Sequence, residues 1–413
     1  MVGKEIKKEE CSHGIASDVT VLILSRLPLR DVARCSAVSR AWRELTAVPF
    51  IRRASASRET AWLVLHNRGQ ERPSGAKEHL AAYSAACRQW FSLGSVSGFL
   101  GKKCQSRWTG PCLAASAHGL LCCVFSASLT MPPMLAVFDP LTPASLRGTA
   151  RRILSVDEGF SSIEALAMWK KSDGGYGIVL AGPISLWGSN WGVCLFDLAD
   201  AKLSKARRSV ASVDAITGRG FLSLLCSALR GDGSGLFCIW GVSSTPQILA
   251  QFDIQDNLWR IVHGFFPDSI SWQNAAITAS NQRRFTAQVH PNLLVFRERL
   301  LLLVLRESTA IFGLQIWELD PSSRGWIELR SMPEELGMEI CRAIHKSSSA
   351  YDCWLHIRAV GSEDLVYLVM DWGWKSRVLV HELGSGAWRW LPTDGFSCRI
   401  DGCVFPFQPN PSF

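Results

Sequence analysis

The chain has 413 residues, of which 47% are hydrophobic and 19% charged, which is ample for a large core and favours about two or three domains. Its formal net charge of +8 is modest, and no block of lysine and arginine interleaved with aromatic residues occurs, so we predict no nucleic-acid binding. The charged start MVGKEIKKEE is unlike a signal peptide, and the apolar run Leu300–Leu305 is far shorter than the ~20 residues that cross a bilayer, so we predict no membrane segment.

The fourteen cysteines are scattered, without the paired spacing of cysteine and histidine that is typical of zinc sites. Several of them, such as Cys226, Cys238 and Cys353, lie within apolar runs, where a free cysteine behaves as a small hydrophobic residue. We therefore predict reduced thiols, no metal and no cofactor. Because thiols stay reduced in the cytosol and the nucleus, we expect the protein in the cytoplasm, the nucleus or both.

The N-terminal part of the chain predicts a charged, disordered tail over residues 1–14 and three short helices over residues 15–51. Ser17 and Asp18 suit the start of the first helix, which ends at Leu27-Pro28 because proline disfavours helix in the residue before it. Its apolar residues, which recur at helical spacing, are Val19, Leu22 and Ile23.

A second helical turn is predicted after Asp31 and a third helix before Pro49. The third helix carries apolar side chains at positions i, i+3, i+4 and i+7, namely Val38, Ala41, Trp42 and Leu45. A unit of about 40 residues is at the lower limit for independent folding. We therefore expect its apolar surface to pack on a partner or on the rest of the chain.

This helical segment resembles the F-box in its central run ILSRLP (residues 23–28) and in its last helix VSRAWREL (residues 38–45). The F-box is the module with which substrate receptors bind the Skp adaptor of Skp/cullin/F-box ubiquitin ligases. The family usually opens with Leu-Pro, where this chain has Ile15-Ala16, and usually has cysteine and lysine where Ser39 and Arg40 stand. The residues that the resemblance assigns to adaptor binding are Leu22, Ile23, Leu27, Pro28, Val38 and Trp42. The alternative is a plain helical cap that packs on the rest of the chain.

Beyond residue 57 a pattern repeats: an aromatic residue or histidine, then small, acidic or aliphatic residues, and in four copies a tryptophan shortly downstream. The separations between the six copies are 55, 58, 56, 65 and 64 residues, and we expect looser loops in the longer ones. The first residues of the copies, which we call the anchors, are Tyr83, Phe138, Phe196, Phe252, Trp317 and His381. Each anchor follows an apolar run typical of a buried strand; the runs are Trp62–Leu65, Leu120–Phe125, Ile178–Ala181, Leu236–Trp240, Leu300–Leu305 and Leu365–Met370.

A repeat of this length with at least two strands is close to the ~50-residue kelch repeat and predicts a β-propeller. Blades pack through bulky residues, so the 17 tryptophans and 19 phenylalanines are expected in the core between blades rather than in a ligand cage. The run WRWLP (residues 388–392) resembles the kelch-type F-box-associated region common in plants, although a plain kelch diglycine occurs only at Gly174-Gly175. The predicted fold is a small N-terminal three-helix F-box (residues 15–56) followed by an all-β kelch-like propeller of six blades (residues 57–413).

Patterns typical of catalysis are weak in this chain. The nine histidines show none of the HxH, HxxxH or HExxH spacings of metal sites, and the acidic residues are scattered. The stretch 231–235 (GDGSG) is rich in glycine but lacks the Lys-Ser/Thr of a phosphate-binding loop and precedes an apolar strand, so we predict a hairpin turn there. We therefore predict a non-catalytic protein.

The resemblance and the repeats together predict a substrate receptor. The F-box would bind a Skp-family adaptor, and through it a cullin, while the propeller would capture a protein target of unknown identity for ubiquitination. Two alternatives stay open. One is a propeller scaffold that acts outside a ligase, which the Ile15-Ala16 departure favours. The other is a propeller enzyme or lectin, which would show polar groups converging on the propeller axis.

Two basic clusters follow consecutive anchors at similar distances and predict a substrate-binding patch. The arginines of this patch are Arg151, Arg152, Arg207 and Arg208. If the clusters lie in corresponding turns of neighbouring blades, they share one face and favour an acidic or phosphorylated segment of the target. Ordinary solvated turns are the alternative, because lysine and arginine are mostly exposed.

Overall fold

The computed structural model divides the chain into two compact units, Met1–Glu59 together with Pro409–Phe413, and Thr60–Gln408. The residues whose structure is described are 17–27, 31–32, 35, 38–46, 61–67, 79–95, 111–125, 132–141, 152–156, 159–184, 190–199, 202–212, 223–242, 245–263, 266, 270–271, 275–278, 284–289, 292–296, 298–306, 312–347, 354–362, 364–372, 375–392 and 403–409. The predicted tail 1–14, the pair Ile15-Ala16, Pro28 and Arg151 lie outside these ranges. Within the ranges, no helix combines the length and apolarity needed to cross a bilayer.

The first unit contains helices α1 (Ser17–Arg26) and α2 (Arg40–Thr46), and residues 31, 32 and 35 between them are also helical. The predicted first helix is confirmed. Ser39 explains where α2 begins, because its hydroxyl accepts a hydrogen bond from the amide of Trp42 (3.2 Å), as an N-cap residue does. The buried apolar side chains are Leu24 and Val32, against which the partly buried apolar residues pack: Val21, Leu27, Cys35, Trp42 and Leu45.

The second unit contains helix α3 (Glu334–Ser347) and 27 strands within the described residues. The strands are β1 (Trp62–Asn67), β2 (His79–Ser84), β3 (Gln89–Gly94), β4 (Pro111–Ala117), β5 (Leu120–Phe125), β6 (Met134–Phe138), β7 (Arg152–Ser155), β8 (Ala165–Lys170), β9 (Tyr176–Pro183), β10 (Asn190–Ala199), β11 (Lys202–Ser212), β12 (Ser223–Leu229), β13 (Gly235–Val242), β14 (Thr245–Asp253), β15 (Leu258–His263), β16 (Ile270–Ser271), β17 (Ala275–Thr278), β18 (Arg284–Val289), β19 (Asn292–Phe296), β20 (Arg299–Arg306), β21 (Leu314–Leu319), β22 (Trp326–Ser331), β23 (Trp354–Ser362), β24 (Leu365–Trp372), β25 (Lys375–Glu382), β26 (Trp388–Trp390) and β27 (Val404–Phe407).

These strands form six sheets, each of which is one blade of a propeller, and all their strand pairs are antiparallel except β18 with β23. The first strands of the blades, β27, β4, β8, β12, β19 and β23, contact one another in this cyclic order and surround the axis. The ring closes because the C-terminal strand β27 pairs with β1, with Trp62 opposite Phe407. Closure of this kind removes the free ends that an open row of blades would have. The six-bladed all-β fold predicted from the repeats is confirmed.

The repeat pattern maps onto the blades in register. The apolar runs lie in the second strands, β1, β5, β9, β13, β20 and β24, and the anchors lie in the third strands, β2, β6, β10, β14, β21 and β25. Three anchors face the downstream tryptophan across the sheet, and Tyr83 and Trp90 illustrate this with ring centroids 5.0 Å apart. The acidic residue after an anchor organises the turn, since Asp253 accepts hydrogen bonds from the amides of Gln255 and Asp256 (3.0 Å each).

Aromatic side chains pack between neighbouring blades, as predicted. Trp240 in β13 is fully buried and meets Trp191 in β10 edge to face, with centroids 4.4 Å apart, an arrangement that the aromatic quadrupole favours. Trp169, at the end of β8, lies against Gly177 and Gly233, where an added Cβ would overlap its indole. Gly233 also has a φ of +73°, a conformation that side chains other than hydrogen disfavour. It belongs to the turn between β12 and β13, so the predicted hairpin at residues 231–235 is confirmed.

The longer spacings between the later anchors do not consist of looser loops, and that expectation is wrong. Between the fourth and fifth anchors the chain forms β16, which joins the fifth blade beside β20, and the hairpin β17–β18; between the fifth and sixth anchors it forms α3. α3 is held by apolar residues on one side, including Ile340 and Ile344, which are fully buried. β18 adds to the sixth blade as a parallel neighbour of β23, with residues 286–289 opposite residues 354–357. Neither element follows from the propeller repeat.

Candidate functional site

The helical unit presents four large apolar side chains to solvent. The exposed fractions are 47% for Val19, 56% for Leu22, 44% for Ile23 and 68% for Val38. We call these four residues the helical apolar surface. Large exposed apolar groups grouped on a small folded unit are typical of a protein-protein interface.

The six residues predicted to bind an adaptor divide into three groups. Leu22, Ile23 and Val38 belong to the helical apolar surface and are available to a partner. Leu27 and Trp42 instead pack on the core around Leu24 and Val32, so they hold the two helices together. Pro28 lies outside the described residues. The burial of each side chain therefore shows which of these residues belong to the core and which are available for docking. The helical spacing of apolar residues alone does not show this.

The arginines predicted to bind substrate lie on outer strands rather than in turns, so their expected position is corrected. Arg152 begins β7, and Arg207 and Arg208 lie in β11, which are the outermost strands of two neighbouring blades. Their backbone partners are Val137, Leu195 and Cys194. β7 and β11 contact each other, so the three backbone positions belong to one region of the propeller. The role of these arginines in substrate binding stays a prediction.

A cavity of about 520 Å³ lies on the propeller axis. It is lined by residues of all six first strands and of the turns that follow some of them, including residues 114–118, 166–170, 227–231 and 359–362. Apart from β23, whose beginning also pairs with β18, the edge of a first strand that faces the axis has no strand beside it along the cavity, so it turns backbone amide and carbonyl groups toward the axis. Short side chains leave the space open, and six of them are Ala114, Ala115, Ala117, Ala167, Ala228 and Ala359.

Basic side chains lie where the first strands end. The guanidinium of Arg230 pairs with Glu298 (2.8 Å) and lies 3.7 Å from Asp232. Lys170 ends β8, and His118 lies in the tight turn after β4 with a φ of +42°. Burial, and then the neighbouring ammonium of Lys170, lower the pKa of His118, so its imidazole is neutral at pH 7. The Tyr176 hydroxyl donates to the His118 carbonyl (3.3 Å) and fixes this turn against β9.

Metal-binding groups do not assemble in the described part of the chain. No three His, Cys, Asp or Glu residues there are grouped as metal ligands. Burial raises the pKa of the Cys226 thiol to about 12, so this cysteine is protonated and unreactive. His381, an anchor, stacks on Trp388 with centroids 4.2 Å apart, and burial lowers its pKa to about 4. These groups serve packing.

Three features were not predicted from the sequence: the axial cavity, the hairpin β17–β18 and α3. The cavity could not be predicted because only the closed ring of blades determines which residues line the axis. α3 did have a signal, since Glu334 and Glu335 follow Pro333 and Leu336, Ile340 and Ile344 recur every four residues.

Comparisons with known proteins bear on both units. The F-box-like family model matches residues 17–54. Over 376 residues, which are 90% of this chain and 79% of the relative, the sequence is 23% identical to an F-box/kelch-repeat protein of Arabidopsis thaliana. Among solved structures, TolB from Acinetobacter baumannii is 13% identical with a TM-score of 0.43, covering 89% of this chain and 72% of TolB. A chain of a nidogen/laminin complex is 10% identical with a TM-score of 0.44, covering 84% of this chain and 98% of that one. Both scores are below 0.5, so neither likeness bears on function.

Proposed function

The chain is an F-box protein with a kelch-like β-propeller region, and we propose that it is the substrate-recognition subunit of a Skp/cullin/F-box ubiquitin ligase. In this role the helical unit binds a Skp-family adaptor, which links it to a cullin, and the propeller captures a protein target. The proposal includes action in the cytoplasm, the nucleus or both.

The observation that carries the proposal is the helical apolar surface. Leu22 and Ile23 on α1 and Val38 in the turn before α2 remain exposed on a segment that matches the F-box-like family and has a core of its own around Leu24. Complete burial of an apolar side chain of this size contributes about 1.5–3 kcal/mol, and a half-exposed one contributes a part of that. Three such residues therefore supply enough free energy to anchor an interface of standard composition.

The proposed role is non-catalytic, because the ligase chemistry belongs to the partners. Holding a target lysine beside the ubiquitin-charged enzyme raises its effective concentration without any catalytic group in this chain. The buried, protonated Cys226 and the neutral, stacked His381 support this view.

Adaptor binding tests the proposal with a matched pair of substitutions. Leu22→Asp places a charge in the helical apolar surface, while Leu258→Asp changes a leucine of equal exposure (57%) on the outer strand β15. We expect Leu22→Asp to weaken binding of a purified Skp-family adaptor at least about tenfold in a titration, since an unpaired charge in an interface costs several kcal/mol. Leu258→Asp should bind as the parent does. Equal binding by all three proteins would contradict the adaptor assignment and favour a scaffold that acts outside a ligase.

The substrate patch of Arg151, Arg152, Arg207 and Arg208 is part of the same proposal. Its support is the nearness of the two outer strands β7 and β11. Changing these four residues to glutamate should reduce capture of the target in cells, and capture by the parent protein should fall as salt rises. Adaptor binding serves as the internal control, because the helical unit is unchanged. Unaltered target capture would assign recognition to another part of the propeller.

A further inference from the structure

The axial cavity has the size and walls of a small-ligand site. Its volume of about 520 Å³ lies within the ~300–1,000 Å³ that is usual for such sites. The wall presents both apolar and polar groups: alanines of four blades supply apolar surface, and serine and backbone groups supply polar surface. The free axial edges of the first strands add hydrogen-bonding groups, so the cavity offers contacts to both the apolar and the polar parts of a ligand.

The chain itself occupies one part of the axis. β18 pairs along the axial edge of β23 beside residues 354–357, whereas the cavity touches residues 359–362 of the same strand. The backbone groups of this edge therefore do accept a partner. β18 lies at the end of the axis where the first strands begin. We call the opposite end of the cavity, which His118, Lys170 and Arg230 line, its entrance.

The entrance carries one cation that the described residues do not neutralise. Arg230 is paired with Glu298, and Lys171, the residue after Lys170, is paired with Asp197. Lys170 is exposed, lines the cavity and forms no hydrogen bond or ion pair with any part of the chain that the structure describes. Its positive charge is nonetheless felt at His118. The neutral imidazole of His118 and the ammonium of Lys170, at the mouth of the cavity, match the negatively charged group of a small organic molecule.

We propose that the axial cavity binds a small organic anion, with its apolar body between the first strands and its carboxylate or phosphate group at Lys170. The neutral ring of His118 lies on the same rim and offers a second polar contact. This inference goes beyond target capture and does not depend on adaptor binding. A binding site on the axis touches all six blades at once, so an occupant stabilises the closed ring as a ligand specific for the folded state does.

The test uses the full chain and two probes that differ only in the terminal group, a carboxylate in 4-phenylbutyrate and its neutral amide in 4-phenylbutanamide. Binding is measured by ligand-observed NMR titration. We expect the carboxylate to bind at least about tenfold more tightly than the amide, which corresponds to 1.4 kcal/mol. Lys170→Glu should remove this preference, whereas Lys346→Glu, the same change on α3, should retain it. Ala228→Phe, which fills the cavity from β12, should abolish binding of both probes.

The proposal is overturned if neither probe binds, if both bind equally to the parent, or if Lys346→Glu acts like Lys170→Glu. A second measurement needs no substitution and covers the case in which Ala228→Phe does not fold. Acylation of lysines by an amine-reactive ester, followed by peptide mass spectrometry, should show Lys170 protected by 4-phenylbutyrate and Lys346 unprotected. Equal labelling of Lys170 with and without the probe would place the anion elsewhere and reject the site.

Discussion

The two units of this chain differ in how much of their apolar surface they bury within themselves. The propeller closes on itself through β27 and β1, and its large aromatic residues, such as Trp240, lie between blades. The helical unit has two buried apolar side chains, Leu24 and Val32, and leaves four others in solvent. A closed ring needs no partner to bury its faces, whereas a small helical unit with an exposed apolar surface gains stability from one. We therefore expect the propeller to fold without a partner and the helical unit to be stabilised by one.

Removal of the closing strand should have the largest effect. A chain that ends at residue 402 lacks β27, and with it the buried Phe405 and Phe407 and the ladder to β1. We expect loss of the cooperative thermal transition and rapid proteolysis of the propeller, because the ring is then open between the first and sixth blades and their edges are exposed. Circular dichroism and limited trypsin digestion measure this. A truncated chain that melts as sharply and at the same temperature as the parent would refute ring closure as the basis of self-sufficiency.

Truncation of Leu24 should affect the helical unit alone. Leu24→Ala removes a fully buried side chain and should destabilise this unit by about 2–5 kcal/mol, whereas Leu22→Ala at an exposed position should change its stability by less than about 0.5 kcal/mol. Hydrogen exchange of α1 and α2 amides in the full chain reports this difference. Added Skp-family adaptor should restore protection in Leu24→Ala, through mass action. Equal exchange in the two variants would show that the helices have no core of their own.

Overpacking within the third blade should have a smaller effect. Gly177→Ala places a methyl group on the indole of Trp169 and should cost about 1–3 kcal/mol in urea denaturation. Gly384→Ala is the matched control, because its Cβ meets nothing within 4 Å, and it should be neutral or slightly stabilising. Combining Gly177→Ala with Trp169→Leu should recover part of the loss. Strict additivity of the two changes would mean that Trp169 does not occupy the position described.

The blades could be predicted from the sequence because the same strand pattern occurs six times along the chain. The apolar run and the anchor are neighbours in one hairpin, so their spacing directly encodes the second and third strands of each blade. β18 could not be predicted in this way, since its partner β23 is distant in the chain and their parallel pairing leaves no local pattern. The roles of Leu27 and Trp42 were also open, because both belong to the helical spacing and only burial assigns them to the core.

Ring closure by β27 also fixes the order in which the protein is completed during synthesis. β1 leaves the ribosome early, but its neighbour on the side of the axis is β27, the last strand of the propeller. The first blade can therefore be completed only after all the others have been synthesised. At about 5–20 residues per second this interval lasts tens of seconds, and such distant pairing is intrinsically slow to form. Helices α1 and α2 precede every strand of the ring in the chain. A nascent chain therefore displays the helical apolar surface well before its propeller is finished, and any interruption of synthesis leaves that surface without a closed propeller.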